Sequence, residues 1–188
     1  MVVAATMIEL RPLTRASAPP PERFLAAVEE SSVALARWMP WYHMGYGPSD
    51  VERWYDEADR MWSERKAFPM LVVDNVDDAL LGGIALHDIL LYGKREGEMG
   101  YWVRRSACGR GVAATAMRTM AAFGFNELGL IRVSMRIRLD NRSSRRAAER
   151  AGARFEGVAR HGLQAGDARF DAAMYSLLPA DLARPWTP

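Results

Sequence analysis

From residue 100 onward the chain passes from a short apolar run, Gly100-Tyr101-Trp102-Val103, through a loop with two glycines, directly into an Ala/Met-rich helical pattern. The junction reads Arg104-Arg105-Ser106-Ala107-Cys108-Gly109-Arg110-Gly111-Val112-Ala113-Ala114. The first N–H groups of a helix have no intrahelical partner, and the helix dipole adds partial positive charge around them. Glycine lets backbone approach a ligand with no Cβ in the way. Strand, glycine loop and helix start in this order make a seat for phosphate. The rest of the chain must either support that seat or face it.

Charge is distributed in keeping with an anionic ligand. Residues 1–100 hold 10 Lys/Arg against 16 Asp/Glu, a net of −6, whereas residues 101–188 hold 15 against 7, a net of +8. A basic half suits an anion and an acidic half suits a cation. With 188 residues, 49% of them apolar, there is material for one ample core. No apolar run is long enough for a membrane span, and the first residues lack the basic-then-apolar order of a signal peptide. The single cysteine, Cys108, excludes an intrachain disulfide framework and a cysteine-rich zinc site, and His43, His87 and His161 have no metal-ligand spacing. The expectation is a cytoplasmic domain over residues 1–179 with a loosely held tail, residues 180–188, using neither metal nor membrane.

Taken in order, residues 7–13 alternate as an edge strand. Pro19, Pro20 and Pro21 start a helix through Glu30, and Ser31 or Ser32 caps a short helix over residues 33–39. The aromatic cluster Trp38-Met39-Pro40-Trp41-Tyr42-His43 reads as a hydrophobic plug or as a substrate-facing wall. Ser49-Asp50-Val51-Glu52 has the form of a capping box opening a helix to residue 66. Residues 68–74, 80–91 and 96–104 read as hairpin-connected strands. The helix over residues 111–126 has a stripe of Ala113, Ala116, Met117, Met120 and Phe123 to bury. A strand over residues 131–138, a helix from Asp140-Asn141 to Arg150 and strands over residues 154–161 and 168–178 complete the order β-α-α-α-β-β-β-α-β-α-β-β. The implied fold class is mixed α/β, with one sheet flanked by helices.

Several segments together resemble the GNAT acetyltransferases, and within them the RimJ/RimL-like branch. Cys108-Gly109-Arg110-Gly111-Val112-Ala113 is similar to the family's acyl-CoA loop, with Cys108 where Gln or Arg is usual. Glu98-Met99-Gly100-Tyr101-Trp102 resembles the branch's Glu-Ile-Gly-Tyr-Trp strand. Asn141-Arg142-Ser143-Ser144 with Glu149-Arg150-Ala151-Gly152 resembles its Asn-x-x-Ser…Glu-Lys-x-Gly run, and Leu10-Arg11-Pro12-Leu13 with Trp38-Met39-Pro40-Trp41 its N-terminal pattern. The resemblance implies a mostly antiparallel twisted sheet of about seven strands. It also implies acetyl-CoA as acyl donor and direct transfer of acetyl to a primary amine in a ternary complex.

On that resemblance, backbone N–H groups of Gly109, Gly111, Val112, Ala113 and Ala114 hold the pyrophosphate with Cys108 in the loop and Arg110 as a nearby cation. Val103 and Arg104 offer a strand edge to the pantetheine arm, and Asn141 a side-chain amide. Glu98 is the candidate general base, with His87 as runner-up. Ser144 is the candidate donor to the departing sulfur, since Ala148 stands where many relatives carry a tyrosine. Trp38, Trp41, Tyr42 and His87 are the candidate acceptor-binding residues. The acceptor favoured by the branch is a protein or peptide N-terminal amine. A polyamine or an amino-sugar antibiotic is the alternative, as is a non-catalytic acyl-CoA-binding module. A homodimer is possible.

Three further readings are less well supported. Gly109-x-Gly111-x-x-Ala114 also fits a dinucleotide fingerprint, but the acidic residue it needs roughly 20 positions on, at the next strand's end, is not matched by Asp140, 29 residues after Gly111, and three strands already precede the motif. The arginines from Arg132 to Arg154 suggest nucleic acid, yet no nucleic-acid module is recognisable and overall charge is nearly balanced, so no direct nucleic-acid contact is expected. A covalent route through Cys108 lacks a histidine placed by sequence to activate it.

Overall fold

The computed structural model describes residues 8–91, 93–184 and 186. Its strands are β1 (Ile8–Pro12), β2 (Phe68–Asp74), β3 (Leu80–Leu90), β4 (Glu96–Val103), β5 (Arg132–Arg138), β6 (Arg154–Ala165) and β7 (Ala168–Leu177). Its helices are α1 (Pro21–Glu30), α2 (Ser32–Trp38), α3 (Pro48–Ser63), α4 (Val112–Glu127), α5 (Arg142–Arg150) and α6 (Pro179–Leu182). The strands form one sheet in the order β1-β2-β3-β4-β5-β7-β6. Every pairing is antiparallel except β4 with β5. The expected fold class, a mixed and mostly antiparallel sheet with flanking helices, is the one observed.

Successive side chains of a strand point to opposite faces, and here each face carries its own core. Phe68, Met70, Val72 and Met99 pack with α4 and Ala148 of α5, whereas Leu71, Val73 and Trp102 pack with α1, α2 and α3. β2 is covered on both faces, which is why it reads Phe-Pro-Met-Leu-Val-Val without alternation. On the α1–α3 side, Phe24 meets Tyr55 edge-on at 5.7 Å and Trp102 at 5.9 Å. Such ring pairs contribute roughly 0.5–1.5 kcal/mol each beyond burial, and they clamp α1 and α3 to the middle of the sheet.

Some local expectations are corrected. The start of α3 is capped by Asp50 rather than by a Ser49 box: Pro48 is the first helical residue and the Asp50 carboxylate accepts the Gly47 N–H at 2.9 Å. Ser31 stands at the N-cap position of α2, but its side chain makes no capping hydrogen bond there. Its hydroxyl donates to the Ala27 carbonyl at 2.8 Å and accepts the Arg105 N–H at 3.1 Å, tying α1 to the glycine loop. Burial of α4 extends past the predicted stripe to Val112, Ala114, Ala121 and Gly124, while Ala113 and Phe123 are half-buried. The helix is wedged between the sheet and α5, so contact spans a wider arc. β6 runs to Ala165, beyond the expected end, through register shifts that break its alternation.

Residues just past Pro179 are held, contrary to a loose tail. Asp181 is buried at 3% exposure and its carboxylate accepts the Leu178 N–H at 3.0 Å. Arg118 of α4 donates to the carbonyls of Ala151 at 3.1 Å and Leu182 at 2.9 Å, and Trp186 donates to the Arg150 carbonyl at 2.7 Å. A charged donor shared among helix ends satisfies carbonyls that would otherwise lack partners. The expected strand residue Met7 and the loop residue Tyr92 lie outside the described residues.

Candidate active site

The glycine loop has the backbone that its sequence demands. Gly109 (φ +79°) and Gly111 (φ +81°) both sit in the left-handed region that disfavours a Cβ. Gly111 is the N-cap of α4, and no side chain caps that helix, so the N–H groups of Val112, Ala113 and Ala114 are open to an anion. The loop is tethered from behind. Glu30 at the end of α1 accepts the Ser106 N–H at 2.7 Å and the Arg104 guanidinium at 2.5 Å, contacts that hold its carboxyl below the ordinary range. The Arg104 side chain therefore faces Glu30, and Arg110 lies 3.4 Å from Asp74. The Cys108 thiol is exposed, and partial desolvation with the nearby Glu30 charge pushes its pKa up.

Beside the seat, the sheet forks. β4 and β5 pair in parallel only from Glu96–Arg132 to Glu98–Ser134. Past that point β4 continues to Val103 and β5 to Arg138 with no ladder between them. The edge of β4 from Met99 to Val103 is thus available for an extended chain to lie along. Glu98 sits at the apex of the fork. Arg136 of β5 reaches across and binds both its oxygens, Nε to Oε1 at 2.8 Å and Nη2 to Oε2 at 2.6 Å, which raises the Arg136 pKa. A bidentate pair of this kind is among the stronger side-chain contacts.

Two groups of side chains flank the fork on opposite faces. On the α5 face, Tyr101 Oη lies 2.8 Å from Ser144 Oγ. Burial pushes the phenol up to about 12, against the lowering effect of the Ser144 hydrogen bond. Asn141 caps α5, its Oδ1 accepting the Ser144 N–H at 3.1 Å and the Ser143 hydroxyl at 3.0 Å. On the α1–α3 face, the β3–β4 register sets Gly83 against Trp102, Ala85 against Gly100 and His87 against Glu98. Small residues at Ala85 and Gly100 leave a cavity of about 570 Å³ over the sheet, bounded by His87 and by Trp102, whose indole lies over Gly83. A Cβ at Gly100 would lie 3.4 Å from His87 Nε2. His87 Nδ1 faces the Asp88 carboxylate at 3.2 Å. Asp88 has φ +50° beside a register shift in the ladder, a bulge that re-aims the strand end.

Of the predicted acceptor-binding residues, Trp41 and His87 line this cavity and Trp38 and Tyr42 do not. The Trp38 ring instead has the guanidinium groups of Arg37 and Arg138 at 4.5 Å and 5.1 Å. Tyr42 stacks on Tyr46 at 5.9 Å. Sequence reasoning missed Tyr46, Trp54 and Asp50 as lining residues, and Tyr101 as the partner of Ser144. The Tyr101 signal was present in Glu98-Met99-Gly100-Tyr101-Trp102, where the period of 2 places it on the face opposite Glu98. Among the described residues, no three His, Cys, Asp or Glu side chains gather as a metal site requires, and no helix is long and apolar enough to cross a membrane.

Comparison with known proteins bears on the family and the fold. The sequence pattern described as "Acetyltransferase (GNAT) domain" matches residues 8–154. A Bacillus subtilis (strain 168) protein named "Putative ribosomal N-acetyltransferase YdaF" is 30% identical over 159 residues, covering 84% of this chain and 85% of the relative. The ribosomal-protein-S5-alanine acetyltransferase of Vibrio fischeri is similar in structure with a TM-score of 0.79 at 19% identity, over 96% of both chains. The spermidine N-acetyltransferase of Vibrio cholerae, solved with CoA and spermine, gives a TM-score of 0.73 at 16% identity, over 94% of this chain and 98% of that one. At those identities the two structures speak for the fold alone.

Proposed function

Because the chain belongs to the GNAT acetyltransferase family, and is thus an N-acetyltransferase drawing on acetyl-CoA, we propose that it acetylates the N-terminal amine of a protein or peptide. The observation that carries this reading is the fork between β4 and β5, with an uncapped helix start at one end and a cavity beside Gly100 and His87 on its α1–α3 face. The ribosomal label on the Bacillus relative favours a protein acceptor, and so does the RimJ/RimL-like character of the Asn141–Ser144 and Glu98–Trp102 segments. Residues 1–179 are taken as one acetyltransferase domain, a reading supported by a single sheet through β1 to β7.

Acetyl-CoA supplies the acetyl group as a thioester. The N–H groups from Gly109 to Ala114 hold its pyrophosphate, and the bare edge of Met99 to Val103 aligns the pantetheine amides, with the Asn141 amide beside it. The amine enters from the α1–α3 face, and the thiol leaves on the α5 face. His87 is the better placed base. Donation of Nδ1–H to Asp88 leaves the Nε2 lone pair toward the cavity, where it accepts the proton that the amine loses on forming the new C–N bond. Glu98 would have to leave its bidentate partner Arg136 to do the same, so its role is to fix the fork. As the C–S bond breaks, the Tyr101–Ser144 pair donates a hydrogen bond or proton to the sulfur. A phenol at about 12 stays protonated at neutral pH.

The test is a melting scan with acetyl-CoA, CoA and NAD, followed by mass spectrometry of a peptide mixture incubated with acetyl-CoA. A ligand at about 100 times its Kd adds roughly 2.7 kcal/mol, a rise of about 5–11 °C for a chain of this size. Stabilisation by both CoA species but not NAD, with acetyl added at peptide N-termini, is the expected result. No acetylated N-terminus in the presence of a CoA shift would overturn the acceptor reading.

A further inference from the structure

We propose that the cavity selects an amine attached to a bulky apolar or aromatic body, so that the preferred acceptor is an N-terminus with a large hydrophobic first side chain. This rests on the N-terminal acceptor reading given above and narrows it to a substrate class.

The floor of the cavity is made of the small residues Ala85 and Gly100, with the Trp102 indole lying over Gly83, and its walls are made of rings. Trp41 lies 6.4 Å from Trp102 at 63° and 5.6 Å from Tyr46 at 61°. All three line the space. Trp41 at 40% exposure and the half-buried Tyr46 present ring surface to the space above the buried Trp102, and a further ring can meet them in the offset or edge-on contacts that aromatic groups prefer. A volume of about 570 Å³ is well within the range of small-molecule sites, roughly 300–1,000 Å³. It is far larger than an alanine or serine side chain needs.

Charge argues against a second cation in the same space. Ring faces attract ammonium groups, but in a half-enclosed apolar site a cation away from the reacting nitrogen also needs a carboxylate to offset its desolvation. Both carboxylates that line the cavity already have an arginine: Asp50 pairs with Arg53 and Glu57 with Arg60. Asp50 also accepts the Gly47 N–H at 2.9 Å and faces His43 Nε2 at 3.2 Å. A polyamine would have to displace one of these partners, whereas a neutral apolar group displaces none.

The experiment measures kcat/KM for tetrapeptides that differ only in the first residue (Phe, Trp, Leu, Ala, Ser), together with spermidine, on the wild-type protein and on Trp41→Ala and Tyr46→Ala. Trp41 is 40% exposed, so its loss leaves the fold standing, which an unchanged acetyl-CoA melt shift verifies. The expected result is at least a tenfold advantage of Phe, Trp and Leu over Ala and Ser in the wild type. The ratio of kcat/KM for the Phe peptide to that for the Ala peptide should shrink severalfold or more within Trp41→Ala and within Tyr46→Ala. Equal rates across first residues, or a preference for Ala and Ser, would overturn the inference and leave the N-terminal reading intact. Turnover of spermidine with none of any peptide, or of nothing at all despite an acetyl-CoA shift, would overturn both.

Discussion

Gly109→Ala isolates the backbone requirement of the phosphate seat. An added Cβ at this position meets nothing within 4 Å, so no steric clash is involved. What remains is the conformation, φ +79°, which costs an L-residue with a Cβ roughly 1–2 kcal/mol. Against this, Gly to Ala lowers the entropy of the unfolded chain by an amount worth about 0.4–1 kcal/mol. The net destabilisation is about 1 kcal/mol, or ~2–4 °C in melting temperature for a chain of this size. Asparagine tolerates the left-handed region far better than alanine, so Gly109→Asn should melt above Gly109→Ala. The assay is thermal unfolding without ligand, then with acetyl-CoA. If the loop relaxes out of its left-handed geometry to accommodate Ala, the seat is lost and the ligand-induced rise shrinks as well. An alanine variant that melts at or above the wild type and keeps its full acetyl-CoA shift would refute the assignment of strain to this residue.

Four other outcomes are expected. His87→Ala should lower kcat by about 10²-fold or more with the acetyl-CoA melt shift retained; if Glu98→Gln does so instead, the base is Glu98. Ser144→Ala and Tyr101→Phe should each reduce kcat without abolishing it, because each removes one hydroxyl of a pair 2.8 Å apart, and full activity in both would remove the pair from the mechanism. Cys108→Ala should leave turnover unchanged, since its thiol is pushed up rather than activated; an acetyl-thioester trapped on Cys108 would revive the covalent route. Arg132 holds the Glu156 carboxyl down to about 2 from an ordinary 4.5. A depressed carboxyl adds stability above its unfolded value that is lost as pH falls toward the folded one. The melting temperature should therefore drop between about pH 4.5 and pH 2, and Glu156→Gln should remove part of that drop.

The order of strands and helices follows from local causes visible in sequence. Apolar spacing of 2 or of 3 to 4 chose between strand and helix, proline marked the start of α1, and paired glycines marked the turn into α4. The phosphate seat is legible for the same reason, since it is made of consecutive residues and their backbone N–H groups. The rest of the site joins residues distant in the chain. Arg136 meets Glu98 across 38 positions and Ser144 meets Tyr101 across 43, and both contacts depend on where parallel pairing of β4 and β5 stops. The cavity depends on the antiparallel register that lays Ala85 beside Gly100, and on which rings the connection between α2 and α3 brings over them. Sequence alone determined the kinds of element, their order and the chemistry that a glycine loop offers. Tertiary structure decided that Glu98 is held by an arginine while His87 faces open space, because strand register and sheet order determine which side chains become neighbours.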